Sequence, residues 1–199
     1  MTIGYRRRIL STFLCWALLL AVLPALSSGA RAQGSEARAW EGLASGGVVL
    51  FRHANAPGGG DPQGMRIGDC ATQRNLDAAG RDQARRIGAA FAMRRIAVGA
   101  VLTSQWCRTR ETAALAFPGR SEDAMAFNSF FSNRAAGPAQ TAAARAILAG
   151  WAGPQALVVV THQVNITALT GIVPASGEGI VLTRDGDGDG WQVAGRIRP

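Results

Sequence analysis

The stretch Val48-Val49-Leu50-Phe51-Arg52-His53-Ala54 constrains this chain more than any other. Four apolar residues in a row leave no polar face, so a strand built from them must be covered on both sides, as inside a parallel sheet. An arginine and a histidine then stand together where that strand must end. The pattern recurs in Ala156-Leu157-Val158-Val159-Val160-Thr161-His162, and His53 and His162 are the only 2 histidines in the chain. Ligands of open α/β sheets bind beyond the carboxyl ends of the strands. Two parallel strands of these sequences would set both imidazoles along one such edge.

The remaining segments supply the helices that such a sheet needs. Ser35 is a candidate cap for a helix with Ala37, Trp40 and Leu43 on one face, stopped by Gly46-Gly47. Ala56 to Arg74 is a glycine- and proline-rich loop, long enough to be functional. Asp77 then caps a helix whose Ala84, Ile87 and Phe91 recur at helical spacing. Ala100 to Thr103 reads as a strand, and Ser104 to Arg108 turns into a helix ended by Pro118-Gly119. Ala126-Phe127 reads as a short strand, Pro138 opens an alanine-rich helix, and Asn165 to Thr170 begins another. Gly179 to Thr183 and Trp191 to Ile197 read as a closing hairpin. Strands alternating with helices predict a three-layer α/β/α sandwich with a mainly parallel sheet, in one domain spanning residues 33–199.

The first 32 residues stand apart. Arg6, Arg7 and Arg8 precede an apolar stretch broken by Pro24, and Ala30-Arg31-Ala32 is an A-x-A cleavage pattern. This is the layout of a secretory signal peptide, and the proline and cleavage pattern favour it over a membrane anchor. Cleavage after Ala32 would remove four arginines and no acid from a formal charge of +8, leaving no stable membrane anchor. The expected location is the periplasm or the exterior. There Cys70 and Cys107, which remain after Cys15 is lost, can form a disulfide, a reading the compartment favours over two separate thiols. All 21 basic residues are arginine, whose planar fork suits phosphate oxygens. No basic run with interleaved aromatics survives cleavage, which argues against nucleic acid as a partner.

Four segments, in order, carry a family resemblance. Leu50-Phe51-Arg52-His53-Ala54 resembles the Arg-His-Gly/Ala motif of the histidine phosphatase superfamily, which includes the phosphoglycerate mutases. Asn75-Leu76, Gly80 and Gln83-Ala84 resemble that family's leucine, glycine and glutamine-alanine helix start. Ser104, Arg108 and Thr112-Ala113 resemble its second arginine segment, and Thr161-His162 its second histidine segment. The resemblance implies a phosphoglycerate mutase-like fold. It further implies that His53 is a nucleophile forming a phosphohistidine, with Arg52, Asn55, Arg108 and His162 holding the phosphoryl oxygens. No metal or other cofactor is implied. Hydrolysis is the expected outcome, because an exported enzyme has no evident supply of the bisphosphorylated sugar acid that a mutase needs. The partner would be a small phosphorylated substrate, such as a sugar phosphate, or a phosphoprotein.

Two departures bear on the general acid. The mutase-like branch places a glutamate between the second arginine and the second histidine, where this chain reads Ala126-Phe127-Asn128-Ser129-Phe130-Phe131. The acid-phosphatase branch uses an aspartate after the second histidine, and here that position is Gln163. Glu178 ranks first as a replacement, with Asp61 and Asp69 in the glycine-rich loop behind it. Glu122 and Asp123 read as solvated loop charges. A non-catalytic protein that keeps a phosphate pocket is the alternative from another class. Asp185, Asp187, Asp189 and Gly190 match the start of a calcium loop, but its twelfth position is Arg196, so a polar hairpin turn is the better reading.

Overall fold

The structure, a computed structural model, describes Met1, residues 35–186 and residues 190–199. The expected signal peptide and the centre of the Asp-Gly repeat lie outside the described residues. The sheet grows outward from β1 (Val48–Arg52), which pairs in parallel with β4 (Ala156–Thr161) in the register Val48↔Leu157 to Arg52↔Thr161. Beyond β4 come β2 (Val98–Thr103) and the edge strand β3 (Ser121–Asp123), both parallel to it. On the other side of β1, β5 (Gly179–Arg184) and β6 (Trp191–Ile197) run antiparallel as a hairpin. The strand order is β3-β2-β4-β1-β5-β6.

Alternation along the strands divides the core into two. Val49, Phe51, Val101, Val158, Val160 and Val181 face α1 (residues 35–44), α2 (Ala78–Met93) and α3 (Cys107–Ala116). Val48, Leu50, Leu157, Val159, Ile180 and Leu182 face α4 (Gly137–Gly150), α5 (Gln163–Thr170) and Phe127. This is the three-layer sandwich, and it explains the unbroken apolar runs: every residue of β1 up to Phe51 and of β4 is buried. Each Val, Leu or Phe side chain among them contributes roughly 1.5–3 kcal/mol relative to exposure.

Local differences from the sequence reading have physical causes. Ser35 is the first described residue of α1, and the buried face carries Ala39 with Trp40 and Leu43, while Ala37 is exposed. Met125–Phe127 is a single 3-10 turn, not a strand; its Phe127 is fully buried against the sheet, which the apolar composition alone could not tell from a strand. The strand in that region is Ser121–Asp123, so Glu122 and Asp123 belong to an edge strand, and Asp123 pairs with Arg110. At the hairpin, Gly190 N donates to the Asp185 carboxylate at 3.1 Å, the bond of a polar turn.

Candidate active site

The β1–β4 register decides the site. His53 follows the last residue of β1 and donates its backbone N–H to the Thr161 carbonyl at 3.0 Å, so it sits beside His162. Both histidines are buried, with ring centroids 5.6 Å apart. His53 Nδ1 lies 2.7 Å from the Ala54 carbonyl. A carbonyl only accepts, so Nδ1 carries the proton and Nε2 keeps its lone pair. Burial, and then the positive charge of Arg108, push the His53 pKa down to about 3; Arg74 and Arg52 add to this, while the Ala54 carbonyl opposes it. The neutral imidazole is thus the resting form at neutral pH.

His162 has the opposite tautomer. Arg108 Nη2 approaches its Nδ1 at 3.4 Å, and a guanidinium can only donate. Nε2 therefore carries the proton and donates to Ser104 Oγ at 2.7 Å. Burial, followed by the charge of Arg108, holds the His162 pKa well below its ordinary value.

Three arginines converge on the two rings. Arg52, Arg74 and Arg108 line one cavity of about 480 Å³ with His53 and His162. Arg52 Nη1 donates to the Pro174 carbonyl at 3.1 Å, and Arg74 Nη1 donates to the Ala56 and Gly58 carbonyls. Burial and then Arg108 lower the pKa values of Arg52 and Arg74. Their Nε atoms, and that of Arg108, have no hydrogen-bond partner among the described residues. Such a wall suits an anion with several oxygens. One carboxylate intrudes on it: Asp61 accepts from Arg108 Nη1 at 2.5 Å and from Nη2 at 3.1 Å. Burial alone would raise the Asp61 pKa, but the hydrogen bonds and charge of Arg108, with help from Trp106 and the Arg74 N–H, hold it below the usual value.

The motif residues hold this arrangement together. Thr112 Oγ1 accepts from Ala54 N at 3.1 Å and donates to the Arg108 carbonyl at 2.6 Å, tying α3 to the end of β1. Gln83 accepts from Asn55 N at 3.0 Å and donates to the Ser176 carbonyl at 2.8 Å, joining the loops after β1 and before β5. At Gly80 a Cβ would come within 2.0 Å of the Asn55 carbonyl oxygen, so only glycine lets α2 start against that loop. Cys70 and Cys107 are disulfide-bonded, which anchors the long loop beside Arg108.

Of the residues anticipated from sequence, Arg52, His53, Arg108 and His162 come together around the cavity. Two do not. Asn55 does not line the cavity; its amide donates to Asp77 Oδ2 at 2.8 Å and serves the start of α2. Glu178 also lies outside the lining. Its carboxylate accepts from Arg196 Nη1 at 3.3 Å, Arg198 Nε at 3.0 Å and Ala175 N at 2.7 Å. It is a buried structural anion, because the β5–β6 hairpin brings the two arginines to it. Asp69 pairs with Arg66 at 2.6 Å and caps the 3-10 turn Cys70–Thr72. Arg74 was missed: it stands in a loop, and its only sequence signal is its position just before the Asn75-Leu76-Asp77 helix start. Phe130, Phe131 and Arg134 were missed as cavity residues; Arg134 stacks 4.9 Å from the Phe131 ring centre.

No family model matches the chain, and no curated protein matches it. Solved structures do. The SixA protein of Agrobacterium tumefaciens, assigned as a phosphohistidine phosphatase, is similar with a TM-score of 0.55 at 21% identity, covering 78% of this chain and 99% of its own. A SixA protein from Nakamurella multipartitia, assigned likewise, gives 0.57 at 20% identity, covering 77% and 96%. A mycobacterial glucosyl-3-phosphoglycerate phosphatase gives 0.52 at 16% identity, covering 74% and 96%. These likenesses establish the architecture: the chain has the phosphoglycerate mutase-like fold of the histidine phosphatases.

Proposed function

We propose that this protein is a phosphomonoesterase that works through a phosphohistidine on His53. The observation that carries this reading is the unprotonated Nε2 of a buried His53 set among Arg52, Arg74 and Arg108. A phosphate ester would place its nonbridging oxygens against the guanidinium groups, which are charged before it arrives. Nε2 attacks phosphorus, the N–P bond forms, and the bond to the leaving oxygen breaks. The Nδ1–H donated to the Ala54 carbonyl stabilises the positive charge that then develops on the ring. His162 is neutral in the free site, but a dianion beside it favours its protonation and a donated hydrogen bond from Nδ1. Water next attacks phosphorus, the N–P bond breaks, and Nε2 recovers its lone pair as phosphate leaves.

The leaving group would lie in the outer cavity, against Phe130, Phe131, Val164 and Arg134. A cavity of about 480 Å³ is far larger than a phosphate group needs. That favours a substrate the size of a sugar phosphate, in keeping with the substrate named for the mycobacterial neighbour; the phosphohistidine named for the SixA proteins makes a phosphoprotein the second candidate. We further propose export to the periplasm or the exterior, supported by the signal-like residues 1–32 and by the Cys70–Cys107 disulfide.

The test is hydrolysis of para-nitrophenyl phosphate without added metal, by the protein and by its His53→Ala variant. Activity that disappears with His53 supports the reading. The specific observation behind a second reading is that Asp61 is committed to Arg108 as an anion. If phosphate binds but no phosphomonoester is hydrolysed, the protein is a phosphate-binding module.

A further inference from the structure

Cleavage of a phosphomonoester requires a proton for the leaving oxygen whenever that oxygen is strongly basic. Neither histidine offers one to the leaving oxygen: Nδ1–H of His53 is committed to the Ala54 carbonyl, Nε2–H of His162 to Ser104, and a proton that a bound dianion brings to His162 Nδ1 is donated to the phosphoryl group. Asp61 is the one carboxylate that lines the cavity among the described residues. We infer that Asp61 is the proton-transfer residue of this site, released for that work when Arg108 exchanges its carboxylate for the substrate's phosphoryl group. This inference rests on the phosphomonoesterase reading and assigns it a further catalytic residue.

The geometry supports the exchange from both partners. Arg108 presents its two terminal nitrogens to the two Asp61 oxygens, the forked grip that it would offer a phosphoryl group. Asp61 thus occupies the same donors that the substrate needs. The carboxylate also has two neutral holders that do not leave with Arg108. Trp106 Nε1 donates to Oδ2 at 3.0 Å, and Arg74 N approaches Oδ1 at 3.5 Å. It can therefore give up the ion pair and still stay at the cavity wall. Gly58 and Gly60, which precede Asp61, have φ of 106° and 133°, conformations open to glycine.

Protonation follows from the exchange. Taking Arg108 away and bringing a dianion close both favour the neutral carboxylic acid, which takes its proton from solvent. In the first step His53 Nε2 bonds to phosphorus and the bond to the leaving oxygen breaks. The Asp61 proton passes to that oxygen, so an alcohol departs and a carboxylate remains. In the second step the carboxylate takes a proton from water as the water oxygen bonds to phosphorus and the N–P electrons return to Nε2. Phosphate and neutral Asp61 result, and Asp61 loses its proton when Arg108 returns.

The experiment compares the protein with its Asp61→Asn variant on two esters, para-nitrophenyl phosphate with a weakly basic leaving group and glycerol 1-phosphate with a strongly basic one. Binding of inorganic phosphate is measured beside them by calorimetry. The expected result is a loss of about 100-fold or more in kcat/KM on glycerol 1-phosphate, little change on para-nitrophenyl phosphate, and tighter phosphate binding because a competing anion is gone. Equal losses on both esters, or weaker phosphate binding, would mean that Asp61 only positions Arg108, and would overturn the inference. So would full activity on both. If the variant does not fold, the unsubstituted protein decides: a rate that collapses from the aryl to the alkyl ester means no acid assists, and sinks the proposal. Phosphate binding with no turnover of either ester by the unsubstituted protein is a different failure, that of the phosphomonoesterase reading itself.

Discussion

Ser104 Oγ accepts the Nε2–H of His162 at 2.7 Å, so a hydroxyl on the turn from β2 into α3 receives the proton that the approach of Arg108 to Nδ1 leaves on the histidine after β4. The same hydroxyl lies 2.7 Å from Thr109 Oγ1, whose own proton can go to the Trp106 carbonyl at 2.7 Å. The motif serine therefore acts on the site through His162 and the first turn of α3.

Ser104→Ala removes that acceptor and leaves a buried N–H unpaired, at a cost of about 1–3 kcal/mol. If that cost falls on the transition state, kcat drops about tenfold or more, since 1.36 kcal/mol is one factor of ten. Steady-state kinetics should show the drop in kcat, with KM changing less.

Stability should fall on mild acidification. The folded-state pKa of His53 is lowered to about 3, from an ordinary 6.5, and that of His162 is lowered well below 6.5. Below pH 6.5 the unfolded chain takes up protons that the folded one refuses, so stability is lost as pH falls through 6.5 toward 3. The slope approaches ~1.4 kcal/mol per pH unit for each histidine. Melting temperatures from pH 7.5 to 4.5 should show the decline, and His53→Gln should make it shallower.

Reducing the Cys70–Cys107 disulfide frees a loop of sequence separation 37. In the loop-entropy model that costs about 4 kcal/mol, enough to lower Tm by roughly 8–16 °C in a domain of this size. Activity should fall as well, because Cys107 directly precedes Arg108. Melting and turnover with and without reductant check both effects.

Glu178→Ala should harm stability and spare chemistry. It removes charge-assisted hydrogen bonds to Arg196 and Arg198, but these arginine side chains are 44% and 66% exposed and can rehydrate. The expected loss is therefore about 1.5–3 kcal/mol rather than that of a fully buried pair. A urea denaturation curve measures it. A folded variant whose kcat on an alkyl phosphate collapsed would restore Glu178 as the acid.

Much of the site was legible in the chain. The apolar runs before His53 and His162 required strands covered on both faces, and parallel pairing of such strands leaves little choice about where their ends lie. The resemblance pointed to Arg108 because its segment combines a local turn with a helix start, and local patterns survive in sequence. Its Ser104, Thr112, Gln83 and Gly80 each proved to have a contact that explains the residue type. The carboxylates were harder. Glu178 and Asp61 look alike as acids near glycines, and their fates differ only through distant partners.

The sequence by itself determined the layers and the ends of β1 and β4, and its family-like motifs pointed to Arg52, His53, Arg108 and His162, since hydrophobic periodicity and short motifs are local. Tertiary structure alone decided the charge balance of the site. It brought Asp61 to Arg108 across 47 residues and Arg74 to the same wall, and it gave Glu178 to the arginines of β6 and the C-terminus. Side-chain pairing between loops depends on where the strands deliver those loops, and no periodicity along the chain encodes it.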